Sequence, residues 1–245
     1  MDHPHAGAAE LARMDDLAAT WSATADGRAT FLGCYRLMTG SMVAAVGERG
    51  FADPDWVDRL LVRFAEYYFA ALRAYDSDPA AAPAVWRLAH DSCREPRWEL
   101  QRLLLGINAH INVDLPLTVE ELLAPEWPAL APDGRARRHA DYLAVNDIIG
   151  ATADAVQDTV LEPAVPLLRV ADVLLGRADE ILLSRLLFRW RDRAWENAVA
   201  LIEAPDAVAR AAVVRAIEDD ALTTADAILL TDGPLSLLRL LQDPR

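Results

Sequence analysis

The sequence predicts an all-α fold, a single-domain bundle of about eight to ten helices around one buried central helix. Three observations carry this expectation. Apolar residues recur at three- and four-residue steps almost throughout the 245-residue chain. No stretch alternates in the manner of a strand, and no hairpin signal interrupts the order. One segment, Leu103 to Val113, is apolar on nearly every face, the pattern of a helix enclosed by others.

The elements follow in order. Leu11, Met14, Leu17 and Trp21 place a first helix near 8–24, behind a mobile terminus at 1–7 that holds His3 and His5. Phe31, Tyr35, Met38 and Met42 mark a second helix near 28–49, stopped by Gly50. In FADPDW, Asp53 caps a third helix and Pro54 suits its first turn, with Trp56, Leu60, Phe64, Tyr68 and Leu72 along one side. Pro79 and Pro83 break the pattern before a short helix near 83–93. The central helix is expected over 97–115, ended by Pro116, with Thr118 and Glu121 as a capping box for a short helix beyond. A proline-rich loop then leads to a long helix near 135–161, stopped at Pro163. Further helices are expected near 164–175, 179–203 and 206–220. The tail from Thr223 to Leu241 reads as one or two short helices broken at Asp232-Gly233-Pro234. No fixed repeat and no long linker divides 1–245, so one domain is expected.

Composition narrows the function classes. The hydrophobic fraction of 53% and charged fraction of 25% are those of a globular protein. A net charge of −14 repels phosphate backbones and anionic membranes, so neither nucleic acid nor membrane insertion is expected. Every basic side chain is arginine or histidine, which removes a Schiff-base lysine. The start lacks a basic segment followed by an apolar one, so a cytoplasmic location is expected, with Cys34 and Cys93 as free thiols. Phosphate-loop, nucleophile-elbow and paired-cysteine motifs are absent from the sequence.

Chemistry is expected on the central segment LLLGINAHINVDL, where Asn108, His110, Asn112 and Asp114 interrupt an apolar helix. Burying an unpartnered amide costs about 2–7 kcal/mol by transfer scales, so these groups need partners or a wet cavity. His110 and Asp114 are four apart and share a face, while Asn108 and Asn112 share another. Gly106, one turn before His110, allows close approach of a neighbour or ligand. Three readings of His110 and Asp114 stand side by side. They are two ligands of one divalent metal such as zinc, a general base with its orienting carboxylate, or a structural pair.

Other candidates lie outside this segment. His139, Tyr142 and Asn146 form a stripe that either meets the Asn108/Asn112 face or a substrate, or points outward. Asp147, Asp154 and Asp158 form a stripe whose spacing is similar to the second magnesium motif of terpene synthases, but Gly150 stands where that motif has a hydroxyl residue, and a solvated acidic face is expected. His90 is explained by the dipole of a helix C-terminus. Arg185, Arg189, Trp190 and Arg193 either bind an anionic ligand group or pair with some of the 38 acidic residues. Phe31, Tyr35, Tyr67 and Tyr68 are core residues or pocket walls.

The segments LLLGINAHINVDLP, FADPDW and HADYLAVND together resemble the bacterial domain-of-unknown-function family 5995, from about Phe31 to Trp195. Asn108 to Leu115 is the most specific part. The resemblance implies an all-helical fold with Asn108, His110, Asn112 and Asp114 as signature, and implies no reaction. Leu105, Gly106, His110 and Asp114 alone are similar to a metal-binding helix of zinc-dependent phospholipase C. That similarity implies His110 and Asp114 as zinc ligands. The chain has only five histidines, however, and Leu117-Thr118-Val119 stands where those enzymes carry another ligand.

The leading expectation is therefore an enzyme acting on a small-molecule ligand in a polar pocket beside the central helix, in its more specific form a metal-assisted hydrolase. His110 and Asp114 would be its catalytic and metal-binding residues, and Asn108, Asn112, His139, Tyr142 and Asn146 its substrate contacts. A metal-free cyclase or lyase with His110 as base is the closest alternative. A non-catalytic binding or scaffold protein, with the polar quartet as a sealed network, is the contrasting one.

Overall fold

The helical period of the sequence is realised in a computed structural model that describes residues 6–48, 50–156 and 178–231. Every regular element among the described residues is helical. The main helices are α1 (Ala6–Ala23), α2 (Ala29–Gly47), α3 (Pro54–Ser77), α4 (Ala84–Ser92), α5 (Glu99–Ala109), α6 (Leu115–Leu123), α7 (Pro132–Val156), α8 (Ala178–Ile202) and α9 (Ala207–Leu229). A π-turn, His110–Asp114, joins α5 to α6.

Several boundaries move for identifiable reasons. α1 begins at Ala6 because Asp58 of α3 accepts from the Ala6 and Gly7 amides, at 3.1 and 3.2 Å. Gly7 is buried there, its Cα close to Leu61. The earlier part of the expected mobile terminus, with His3 and His5, lies outside the described residues. Asp53 caps α3 as expected, accepting from the Trp56 amide at 3.0 Å. α9 runs unbroken through Thr223, whose hydroxyl donates back to the Asp219 carbonyl at 2.8 Å. The helix expected at 164–175, the end of that expected to 161, and the Asp232-Gly233-Pro234 break all lie outside the described residues.

The largest correction concerns Pro116. It does not end the central helix, which runs from Glu99 to Leu123 through the π-turn. A proline inside an α-helix clashes with the carbonyl four residues back. The wider turn relieves this: the Leu115 amide reaches back five residues to the His110 carbonyl, and Pro116 lies in the first turn of α6. Thr118 and Glu121 consequently form no capping box. The Thr118 hydroxyl donates to the Asp114 carbonyl at 2.7 Å, and Glu121 accepts from Arg63 and Tyr67.

The central helix divides the apolar interior. Leu104, Leu105, Ala109 and Val113 pack into one cluster with residues of α1 to α4 and α9. Leu115, Val119 and Leu123 pack into a second with residues of α3, α7 and α8. Phe64 touches both clusters. α2 packs against α1, α3, α5 and α7. It is the one described helix long and apolar enough to cross a membrane, judged by length and composition alone.

Candidate functional site

The π-turn carries the residues singled out in the sequence, and the structure sorts them into two unlike groups. His110 and Asp114 are both 3% exposed, and His110 Nδ1 and Asp114 Oδ2 share a hydrogen bond of 2.9 Å. The same oxygen accepts from the Trp86 indole of α4 at 3.0 Å. The His110 ring stacks on Phe64, with centroids 3.5 Å apart and planes 7° from parallel. Tyr35 meets it edge-on at 4.5 Å, and Phe31 at 5.9 Å. Its Nε2 is sealed from water and has no hydrogen-bond partner among the described residues.

Burial governs the protonation of this pair. It lowers the His110 pKa and raises that of Asp114, and the mutual hydrogen bond opposes both shifts. The imidazole is therefore neutral at pH 7. When Asp114 is ionised, its carboxylate holds the proton on Nδ1 and leaves Nε2 as the bare nitrogen.

His110 stands in the wall of a cavity of about 190 Å³ bounded by α2, α3, the central helix, α7 and α8. Its lining is dominated by apolar side chains such as Met38, Leu60, Phe64, Ile107 and Ile149. The expected polar pocket is thus an apolar one. Phe31 and Tyr35 do line it, Tyr68 is core, and Tyr67 lies at the surface bonded to Glu121. Cys34 also lines the cavity, but burial pushes its thiol up to about 12, away from a nucleophilic thiolate. Both cysteines are free.

None of the five expected substrate contacts lines the cavity. Asn108 and Asn112 face α9 instead. Asn108 is 0% exposed, donates to the Ala221 carbonyl at 2.8 Å, and accepts from the Asn112 amide at 2.8 Å. These amides satisfy each other and a helix carbonyl, so they fix the register of α9. Tyr142 and Asn146 serve α8. The Tyr142 hydroxyl donates to the Arg191 carbonyl at 2.6 Å, and Asn146 accepts from Arg191 Nε at 2.7 Å. His139 stacks on Trp195 of α8, with centroids 4.6 Å apart. The stripe meets α8 because α7 packs there, while the Asn108/Asn112 face belongs to α9.

The facing atoms of His110 and Asp114 hydrogen-bond each other, which leaves His110 Nε2 as the imidazole nitrogen free for a ligand. No group of three His, Cys, Asp or Glu side chains gathers to hold an ion among the described residues.

The model for a family of unknown function, DUF5995, matches residues 9–231. The chain belongs to the DUF5995 family. No curated protein and no solved structure matches it. In this DUF5995 chain two of the three segments that carry the resemblance are bonded to each other. Asp141 of HADYLAVND accepts from the Ala52 and Asp53 amides of FADPDW, at 2.7 and 2.9 Å. Arg138 adds an ion pair to Asp53 at 2.6 Å. These segments thus clasp the α2–α3 loop to α7, while the third carries the His110–Asp114 pair.

Two residues stand apart from their sequence readings. His90 is buried and stacked on Trp86, and burial, seconded by the Arg28 charge, lowers its pKa to about 4. A helix-dipole role would have raised it. Arg191 went unremarked between Arg189 and Arg193, yet it is 5% exposed and lines the cavity. A signal was present: Leu183, Leu187 and Arg191 are four apart, so a cation stands on the apolar stripe of α8. Of the neighbours expected to pair with acids, Arg193 does so with Asp220 at 3.2 Å. Asp147 is exposed, and the Asp154 and Asp158 side chains lie outside the described residues.

Proposed function

We propose that this protein is a metal-free, histidine-dependent enzyme of the lyase or cyclase type. Its substrate is a small, largely apolar molecule held in the cavity beside the central helix. The observation that carries the reading is an imidazole bonded to a carboxylate in the wall of an apolar cavity, its Nε2 unpaired and sealed so that a substrate must part the neighbouring rings to reach it. An unsatisfied buried nitrogen costs about 1–3 kcal/mol. A helix packed for stability alone would carry an apolar side chain there.

The chemistry follows from the arrangement. A substrate C–H proton passes to Nε2, and the imidazolium that forms is stabilised through Nδ1–H by the Asp114 carboxylate. The electron pair left on carbon forms a double bond as a leaving group departs with its bonding pair, or attacks an electrophilic carbon of the same molecule whose π pair is displaced. The imidazolium then returns its proton to the departing group or to the displaced pair. The apolar walls exclude water that would quench the carbanion-like state. Trp86 holds Asp114 and thereby positions the imidazole.

The test uses 2-hexanone, a small apolar ketone, in deuterium oxide at neutral pH. Binding is first established by titration calorimetry. Solvent deuterium should then enter beside the carbonyl, and His110→Gln should abolish this while the far-ultraviolet helical signal is retained. Binding without exchange, or exchange that survives His110→Gln, would overturn the base assignment. Near-stoichiometric zinc in protein purified without chelator, lost in His110→Ala, would restore the metal reading.

A further inference from the structure

The cavity holds one feature that an apolar ligand alone does not use. Arg191 is one of the residues that line it, and only 5% of its surface is exposed. Its Nε donates to Asn146 Oδ1 and one terminal nitrogen donates to the Tyr142 carbonyl, both at 2.7 Å. It also lies over the Tyr142 ring, 4.4 Å from the centroid. All of these partners are neutral. No carboxylate forms an ion pair with it among the described residues, and the adjacent Asp192 is exposed. The other terminal nitrogen, Nη1, makes no hydrogen bond among the described residues.

A buried cation without an ion-pair partner is costly, and the nearby charge of the exposed Asp192 offsets its desolvation only in part. Burial accordingly lowers the pKa of this guanidinium, although the group stays charged. Two neutral acceptors fix its plane and leave one edge free. A planar donor edge held rigidly in an apolar wall matches a carboxylate in geometry and sign. Both Arg191 and His110 line the same space, so an anion at Arg191 leaves the apolar body of the ligand to extend through the remainder.

We infer that the ligand of this cavity is an apolar carboxylate, its carboxylate anchored on Arg191 and its hydrocarbon body packed against the walls that include His110. This rests on the apolar-cavity reading above and adds the chemical class of the substrate. Arg191 is a specificity-determining residue, with Asn146 and Tyr142 positioning it. Those two residues thus serve the ligand at one remove.

The test compares hexanoate with hexanamide, its neutral isostere, by titration calorimetry on the intact chain. Hexanoate should bind at least about tenfold tighter, the scale of a buried charge-assisted contact. In Arg191→Met that preference should vanish while hexanamide binding is kept. Equal affinities in the wild type, or a preference that survives in Arg191→Met, would overturn the anion anchor and leave the apolar cavity standing. Binding of neither compound would overturn both. If Arg191→Met does not fold, the wild-type ratio and its loss in Arg191→Gln decide the matter.

Discussion

At the scale of single residues, three side chains set the character of the site: His110, Asp114 and Trp86. The indole N–H and the imidazole N–H converge on one carboxylate oxygen. Trp86→Phe deletes the indole donor and part of a buried ring, so it should lower stability by at least about 1–3 kcal/mol in urea unfolding and slow any His110-dependent reaction. An unchanged unfolding midpoint would show that the indole bond is not formed. His90 gives a separate prediction about pH. Its folded pKa of about 4 lies below the unfolded value of about 6.5, so the unfolded chain binds the extra proton first as pH falls. Its contribution is intact above pH 6.5 and is lost progressively down to about pH 4, by as much as about 3 kcal/mol in total. His110 acts in the same direction, while Asp114, raised by burial, favours the folded state on the acid side. His90→Phe should therefore flatten the stability–pH profile between pH 6.5 and 4; a profile as steep as wild type would contradict burial as the cause.

At the scale of elements, the central helix shows which parts of the molecule were legible in the sequence. Helix existence was legible nearly everywhere, because the 3.6-residue apolar period reports burial directly. The π-turn was not, because Pro116 reads locally as a terminator and only the enclosing helices make continuation worthwhile. The His110–Asp114 contact was legible from four-residue spacing. The fate of Asn108 and Asn112 was not, since their partner, the Ala221 carbonyl, is 113 residues distant from Asn108. The asparagines and His110 all interrupt an apolar pattern, and nothing local distinguishes helix register from chemistry. Gly106 is explained at this scale: a Cβ there would lie 2.6 Å from the Phe31 ring. Gly106→Ala should force that ring outward, costing about 1–3 kcal/mol and disturbing the wall beside His110. Thermal unfolding of the variant checks this, and wild-type stability would mean that α2 and α5 are not so closely seated.

At the scale of the whole molecule, the cavity lies where five elements meet, on one side of the central helix. Its apolar character was hidden from sequence reading because residues as distant as Phe31 and Arg191 contribute to it. Filling it should separate function from stability. Ile149→Phe adds apolar volume to the wall and should abolish hexanoate binding without lowering the melting temperature. Undiminished binding would place the ligand elsewhere.

His110 holds a bare Nε2 behind the wall of this cavity, and a ligand reaches it only by displacing the side chains that seal it. Nitrogen NMR of the His110 imidazole, recorded with and without 2-hexanone, tests it most directly. The predicted result is a protonated Nδ1 and an unprotonated Nε2 at neutral pH, with the Nε2 resonance displaced when the ketone binds. A proton on Nε2, or an Nε2 resonance unmoved by a saturating ketone, would contradict it.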